Sequence, residues 1–253
     1  MGAMSRGAVI RADGRAPDGL RPLRLELGYA RHAEGSCLIR CGATHVLCTA
    51  SVEAKPPSFL RGKGEGWVTA EYGMLPRATS ERMRREARVG RQSGRTQEIQ
   101  RLIGRALRAV TDRAALGERQ ISLDCDVLQA DGGTRTAAIT GGWMALWQCC
   151  RHLHESGQCA QFPLRDHVAA VSAGLCGDAA LLDLDYAEDS SADVDANFVL
   201  TGGGALVEVQ ASAERAPFSE AQWQSLWRLG CQGAAALVAQ QKAACAAWVK
   251  NSA

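Results

Sequence analysis

The sequence has no run of about 18 uncharged apolar residues, so a membrane-spanning helix is excluded. Its first residues carry Arg6, Arg11, Asp13 and Arg15 with no apolar stretch among them, so no secretory signal is expected. Met1–Ala3, ahead of a second methionine at Met4, read as an appended leader. No C-x-x-C pair occurs, although the 253 residues include ten cysteines. These stand at irregular spacings, several inside apolar periodic segments where a thiol acts as a small hydrophobe. Neither a zinc knuckle nor a disulfide framework is expected, and a reducing cytoplasmic compartment is the economical reading. Histidine is sparse: of five, His152 and His154 are two apart and face different ways on a helix, a poor metal pair. The formal net charge is only +2, so no overall pull on a polyanion follows from it. There is no internal repeat and no low-complexity segment.

Lysine is nearly missing as well: four of the 29 cations are lysine and 25 are arginine. Arginine presents a planar fork to phosphate and carboxylate. Genomic base composition also favours arginine, so its distribution has to decide. Residues 77–95 hold Arg77, Arg82, Arg84, Arg85, Arg88, Arg91 and Arg95 against Glu81 and Glu86, a local charge of +5. A charge run is usually a solvated face. Here the crowding repels itself unless an anion neutralises it, which points to a nucleic acid or another polyanion.

With 46% apolar and 22% charged residues the chain is ordinary globular material. Residues 1–14 read as a flexible arm and 15–253 as a single domain. Alternation predicts strands at 23–27, 36–40, 45–52 and 67–74. The basic stretch reads as a loop or short helix, and a helix follows from Thr96. Another strand covers 120–128, and a long apolar helix leads from Thr134 to near Gly157. Strands are expected at 168–176, 181–186, 198–201 and 206–210. A final helix, capped by Ser219, runs to about Trp248. This order gives an α/β or α+β fold, with too few helices to cover both faces of a doubly wound sheet.

Three constellations carry chemistry. Gly132-Gly133-Thr134-Arg135 sits at a strand-to-helix junction, where glycines admit close approach and open helix N–H groups attract an anion. A capped glycine turn is the plainer alternative. Ser93-Gly94-Arg95-Thr96 also precedes a helix, so Arg95 and Arg135 can serve one anion. Last, Asp183, Asp185, Glu188, Asp189, Asp193 and Asp195 are six carboxylates within thirteen residues. A turn over Ser190–Val194 would bring Asp189 and Asp195 close enough to share a divalent cation. An oxygen-only donor set suits Mg²⁺ or Mn²⁺, and a solvated acidic turn is the alternative. Together the three describe a polyanion on an arginine loop, a small phosphate in a cradle, and a metal-assisted phosphoryl transfer.

Longer stretches carry a resemblance. His32–Ser36, Gly66-Trp67-Val68-Thr69-Ala70-Glu71-Tyr72-Gly73-Met74-Leu75-Pro76-Arg77, Gly94–Ile103 and Leu123–Thr136 resemble the bacterial ribonuclease PH family, and the likeness runs from about Arg15 to Lys242. It implies a ribosomal-protein-S5-type βαβ domain and a phosphorolytic 3′→5′ exoribonuclease that trims tRNA precursors and other RNA with single-stranded 3′ ends. Inorganic phosphate would release nucleoside 5′-diphosphates, reversibly, as a nucleotidyltransferase. By the same likeness Arg95, Gly133, Thr134 and Arg135 bind the attacking phosphate. Asp189 and Asp195 hold Mg²⁺ or act in acid–base work, and Arg77, Arg82 and Arg85 contact the RNA. The family's members form homohexamers, trimers of dimers. Two departures stand out: Ala196 where methionine is common, and Arg215 where glycine is usual. A non-catalytic ring subunit of an exosome-like assembly would share the fold but typically lack the phosphate arginines or metal carboxylates, all present here. A hydrolytic nuclease would release monophosphates without added phosphate.

Overall fold

The computed structural model describes residues 11–177 and 179–252. Four strands open the chain: β1 (Leu23–Leu27), β2 (Gly35–Cys41), β3 (Thr44–Glu53) and β4 (Trp67–Met74). Helices α1 (Glu86–Val89), α2 (Gly94–Ala109) and α3 (Arg113–Leu116) follow, then β5 (Gln120–Gln129) and α4 (Thr134–Glu155). The second half is β6 (Val168–Cys176), β7 (Ala179–Leu182), α5 (Tyr186–Ser191), β8 (Val194–Thr201), β9 (Leu206–Ala213) and α6 (Glu220–Ser252).

The strands form two sheets, ordered β1-β2-β3-β5-β4 and β7-β6-β8-β9. Among the described residues, only β4 and β5 pair in parallel, through the crossover that carries α2. β3 and β5 alternate buried and part-exposed residues, because one face packs on the core while the other is open. β6 is buried along nearly its whole length. Its Val168 and Ala170 join the core around α4, while Ala169, Val171, Ala173 and Leu175 pack toward α6. The layers are therefore sheet, α4 with α2, sheet, α6. That explains why α4 has no polar stripe: Ile139, Trp143, Met144, Leu146 and Cys150 are all buried.

Two expectations change. The strand expected over 181–186 ends at Leu182, because Asp183 turns into left-handed backbone (φ 53°) and Asp185 caps α5. The arm expected over 1–14 lies largely outside the described residues. Its described end is docked: Arg11 is 3% exposed and reaches Leu182 O at 2.8 Å and Glu188 at 2.7 and 2.5 Å. All ten cysteines are free thiols, and burial pushes Cys37, Cys41, Cys149 and Cys245 up to about 12. No helix among the described residues is long and apolar enough to cross a membrane.

Candidate active site

β5 ends in a glycine turn that starts α4. Gly132 and Gly133 both have left-handed backbone, φ 71° and 63°. A Cβ on Gly132 would lie 2.7 Å from Leu184 O and from the Asp185 carbonyl carbon, so only glycine lets this loop lie against the start of α5. The Thr44 hydroxyl fixes the turn, donating to Gly132 O at 2.7 Å and accepting from Asp131 N at 2.9 Å. Gly133 is the N-cap of α4 and supplies no side-chain acceptor, so the first N–H groups of a 22-residue helix stay open for an anion. Tyr72, buried on β4, donates its hydroxyl to Thr134 Oγ1 at 2.8 Å. That leaves the Thr134 hydrogen free to donate elsewhere.

Arg95 lies in the first turn of α2, whose N-cap Ser93 accepts from Thr96 N at 3.1 Å. Glu86 on α1 fixes that turn by accepting from Ser93 N (2.9 Å) and Thr96 Oγ1 (2.7 Å). Arg135 is in the first turn of α4, where Gln210 of β9 accepts from its Nη1 at 3.0 Å and Glu98 pairs with it at 3.4 Å. Both arginines oppose the positive end of their own helix dipole, a conflict that a bound anion relieves.

The six carboxylates sort by partner. Asp183 is gripped by Arg21 at 2.7 Å, and Glu188 by Arg11. Asp185 and Glu188 form the reciprocal cap of α5. Asp193 accepts from Gly177 N at 2.9 Å and pairs with Arg215 at 3.4 Å. Of the six, Asp185 has no ion pair among the described residues but is engaged in the α5 cap, which leaves Asp189 and Asp195 with neither an ion pair nor a capping role. Both face one open cleft of about 490 Å³, together with Arg95, Gly133, Thr134 and Arg135. Asp189 has a solvent-exposed rim, yet its cleft side is crowded. Burial and then the neighbouring Asp195 charge push its carboxyl above the usual range, against the pull of Arg95, Arg135 and Arg21. The two acids thus line one cleft, connected by the end of α5 running into β8 and not by a hairpin.

This is a cleft with two arginine forks, an open helix start and two carboxylates. Family models of the 3′ exoribonuclease family match it on both sides, domain 1 over residues 19–151 and domain 2 over 166–233. The chain belongs to the ribonuclease PH family. Ribonuclease PH of Rhodospirillum rubrum is 63% identical over 237 residues, spanning 94% of this chain and 99% of that one. That of Methylocella silvestris is 61% identical, spanning 94% and 100%. In fold the chain is similar to rice Rrp46 (TM-score 0.71, 20% identity, 92% and 98% covered) and an archaeal exosome core (0.73, 20%, 92% and 91%). It is also similar to the Archaeoglobus fulgidus exosome with RNA bound to the active site (0.74, 20%, 90% and 91%). The ribonuclease PH activity is phosphate-dependent removal of nucleotides from RNA 3′ ends, and nucleotidyl transfer in reverse; the chain is an enzyme of this kind. The two family models part between α4 and β6, while α4 itself packs on both sheets.

Arg77, Arg82 and Arg85 lie outside the cleft. Arg82 and Arg85 line a separate hollow with Arg84 and Arg88, and Arg77 is exposed nearby. Among the described residues, none of the seven arginines in 77–95 forms an ion pair. Sequence reasoning missed Tyr72, Gln210, Ser172 and Asn197 as parts of the site. Only their tertiary placement reveals them, since no short-range spacing links them to the glycine turn.

Proposed function

We propose that this cleft carries out the phosphorolysis, with Arg95, Arg135, the Thr134 hydroxyl and the Gly133 turn holding the attacking phosphate. The supporting observation is that Asp189 and Asp195, the carboxylates of the acidic cluster with neither an ion pair nor a capping role among the described residues, share one cleft with both arginines. A phosphate oxygen bonds to the phosphorus of the terminal phosphodiester, and the bond to the preceding 3′ oxygen breaks. The proton of the attacking hydrogen phosphate passes to the leaving 3′ oxygen, and a nucleoside 5′-diphosphate departs. Phosphate is already anionic at neutral pH, so no strong general base is needed. The barrier lies in bringing two anions together, and the arginine forks lower it by neutralising charge at fixed positions.

Asp189 and Asp195 fit a hard divalent cation: two oxygen donors, like-charged, one already strained toward protonation. Mg²⁺, or Mn²⁺, would be held there, with water and substrate oxygens completing its shell, and would supply charge stabilisation at the transferring phosphoryl group. In this reading Arg77, Arg82 and Arg85 take the RNA backbone, where their uncompensated charge finds its partner. The substrates are RNAs with single-stranded 3′ ends, tRNA precursors among them. The enzyme works as a homohexamer, a trimer of dimers, in the cytoplasm.

The test is a set of three variants. Arg95→Ala and Arg135→Ala each raise the KM for phosphate about tenfold or more, one charge-assisted contact being worth roughly 1.5–3 kcal/mol. Asp195→Asn abolishes turnover yet still binds RNA. Unchanged phosphate dependence in both arginine variants, or retained turnover in Asp195→Asn, overturns the assignment.

A further inference from the structure

Arg95 and Arg135 both stand on the α2–α4 side of the cleft. The same cleft is lined by a third arginine, Arg215, which lies just past the end of β9. Its side chain is 67% exposed, and its one ion pair is a single 3.4 Å contact to Asp193. Such an exposed single contact is weak, so the fork can leave Asp193 at little cost.

The strand register places it. Asn197 faces Gln210, Asp195 faces Ser212, and beyond the last pair the Glu214 N–H donates to Asp193 O at 2.9 Å. Gln210, Ser212 and Glu214 therefore follow one another along one face of the hairpin. Gln210 is the residue that holds Arg135. From Gln210 to Glu214 is four residues, about 13 Å of extended strand. Asp195 lies between the two arginine anchors. The cleft thus carries arginines toward both ends of this strand pair, with Asp189 and Asp195 between them and Glu214 beside Arg215.

A phosphorolytic site must hold two anions at once, the free phosphate and the RNA chain with its series of phosphodiesters. The phosphate has its cradle at the start of α4. We infer that Arg215 is an RNA-binding residue of this cleft, gripping a backbone phosphodiester on the 5′ side of the scissile bond. This rests on the phosphorolytic reading of the site. Arginine suits the role because its fork takes two non-bridging oxygens of one phosphodiester, which a lysine cannot do.

The experiment compares the wild type with Arg215→Gly and Arg215→Lys. Direct binding of a single-stranded RNA is measured without phosphate over a salt series, and phosphorolysis is measured against RNA and against phosphate separately. Arg215→Gly is expected to weaken RNA binding and raise the RNA KM about tenfold. It is expected to reduce the slope of log affinity on log salt by about 0.7, with the phosphate KM unchanged. Arg215→Lys keeps the slope and recovers only part of the affinity. An RNA affinity and salt slope equal to wild type overturns the inference. So does a raised phosphate KM with unchanged RNA binding, which would put Arg215 in the phosphate cradle. Failure of the wild type to show phosphate-dependent release would strike the phosphorolytic reading instead, and the salt slope of binding would still decide Arg215.

Discussion

Replacing Asp183 with asparagine keeps the shape of the side chain and removes its charge from a pair that is 4% exposed on both sides. Arg21 donates to this carboxylate from its backbone N (2.7 Å), Nε (3.1 Å) and Nη2 (2.7 Å), and its Nη1 donates to Asp131 O beside the glycine turn. Arg15 adds a longer contact at 3.7 Å. Asparagine also tolerates the left-handed backbone at φ 53°, so strain does not confuse the result. What remains is a buried guanidinium without its counter-charge, a loss of about 3–5 kcal/mol. For a chain of this length that lowers Tm by roughly 10 °C at fixed protein concentration. Adding Arg21→Met removes the orphaned cation and should recover most of the loss. The pH dependence has a definite sign. Burial opposes ionisation of Asp183, but Arg21 and Arg15 outweigh it and hold the carboxyl below its ordinary value. The pair's contribution is therefore complete above the unfolded carboxyl range, near pH 4, and fades as the pH falls below it, so the Asn penalty shrinks in acid. Thermal unfolding at neutral and acid pH reads all of this. An Asp183→Asn protein within 1 kcal/mol of wild type, or a double variant no better than the single, would refute the reasoning.

Other outcomes follow from the same geometry. Gly132→Ala drives a Cβ into Leu184 O and Asp185 at 2.7 Å in left-handed backbone, and should cost more than the ~1–2 kcal/mol of the backbone term alone. A normal Tm with normal phosphate KM would mean the loop does not need the glycine. Tyr72→Phe removes the hydrogen bond to Thr134, costing about 1 kcal/mol and raising the phosphate KM a few-fold in steady-state kinetics. Burial and the Asp195 charge raise the Asp189 carboxyl in the metal-free site, so Mg²⁺ binding should be lost on acidification at a higher pH than an ordinary aspartate allows. Arg135→Ala raises that pH further, and a downward or absent shift in the pH dependence of Mg²⁺ affinity would contradict the assignment.

Local sequence carries much of this fold and part of the site. Alternation in Leu23–Leu27 and Thr44–Glu53, and the three- and four-residue spacing from Ile99 to Leu107, report periodic burial that neighbouring residues can reveal. The strand expected through Tyr186 failed because Leu181, Leu182 and Leu184 imitate one, while the actual signal was the Asp185–Glu188 capping pair. The glycine turn and open helix start at Gly132–Arg135 are legible because their geometry is local. Which of six carboxylates stay unpaired is not, since Arg11 and Arg21 reach them from more than 160 residues away. The sequence singles out Arg215 but not its place on the cleft that Arg135 lines, which only the fold supplies.

The most direct measurement is the fate of a uniformly labelled RNA with a single-stranded 3′ tail, incubated with Mg²⁺ with and without inorganic phosphate. The predicted result is nucleoside 5′-diphosphate released only when phosphate is present. Nucleoside monophosphate released without phosphate would contradict the account, because Arg95 and Arg135 would then have no attacking phosphate to hold.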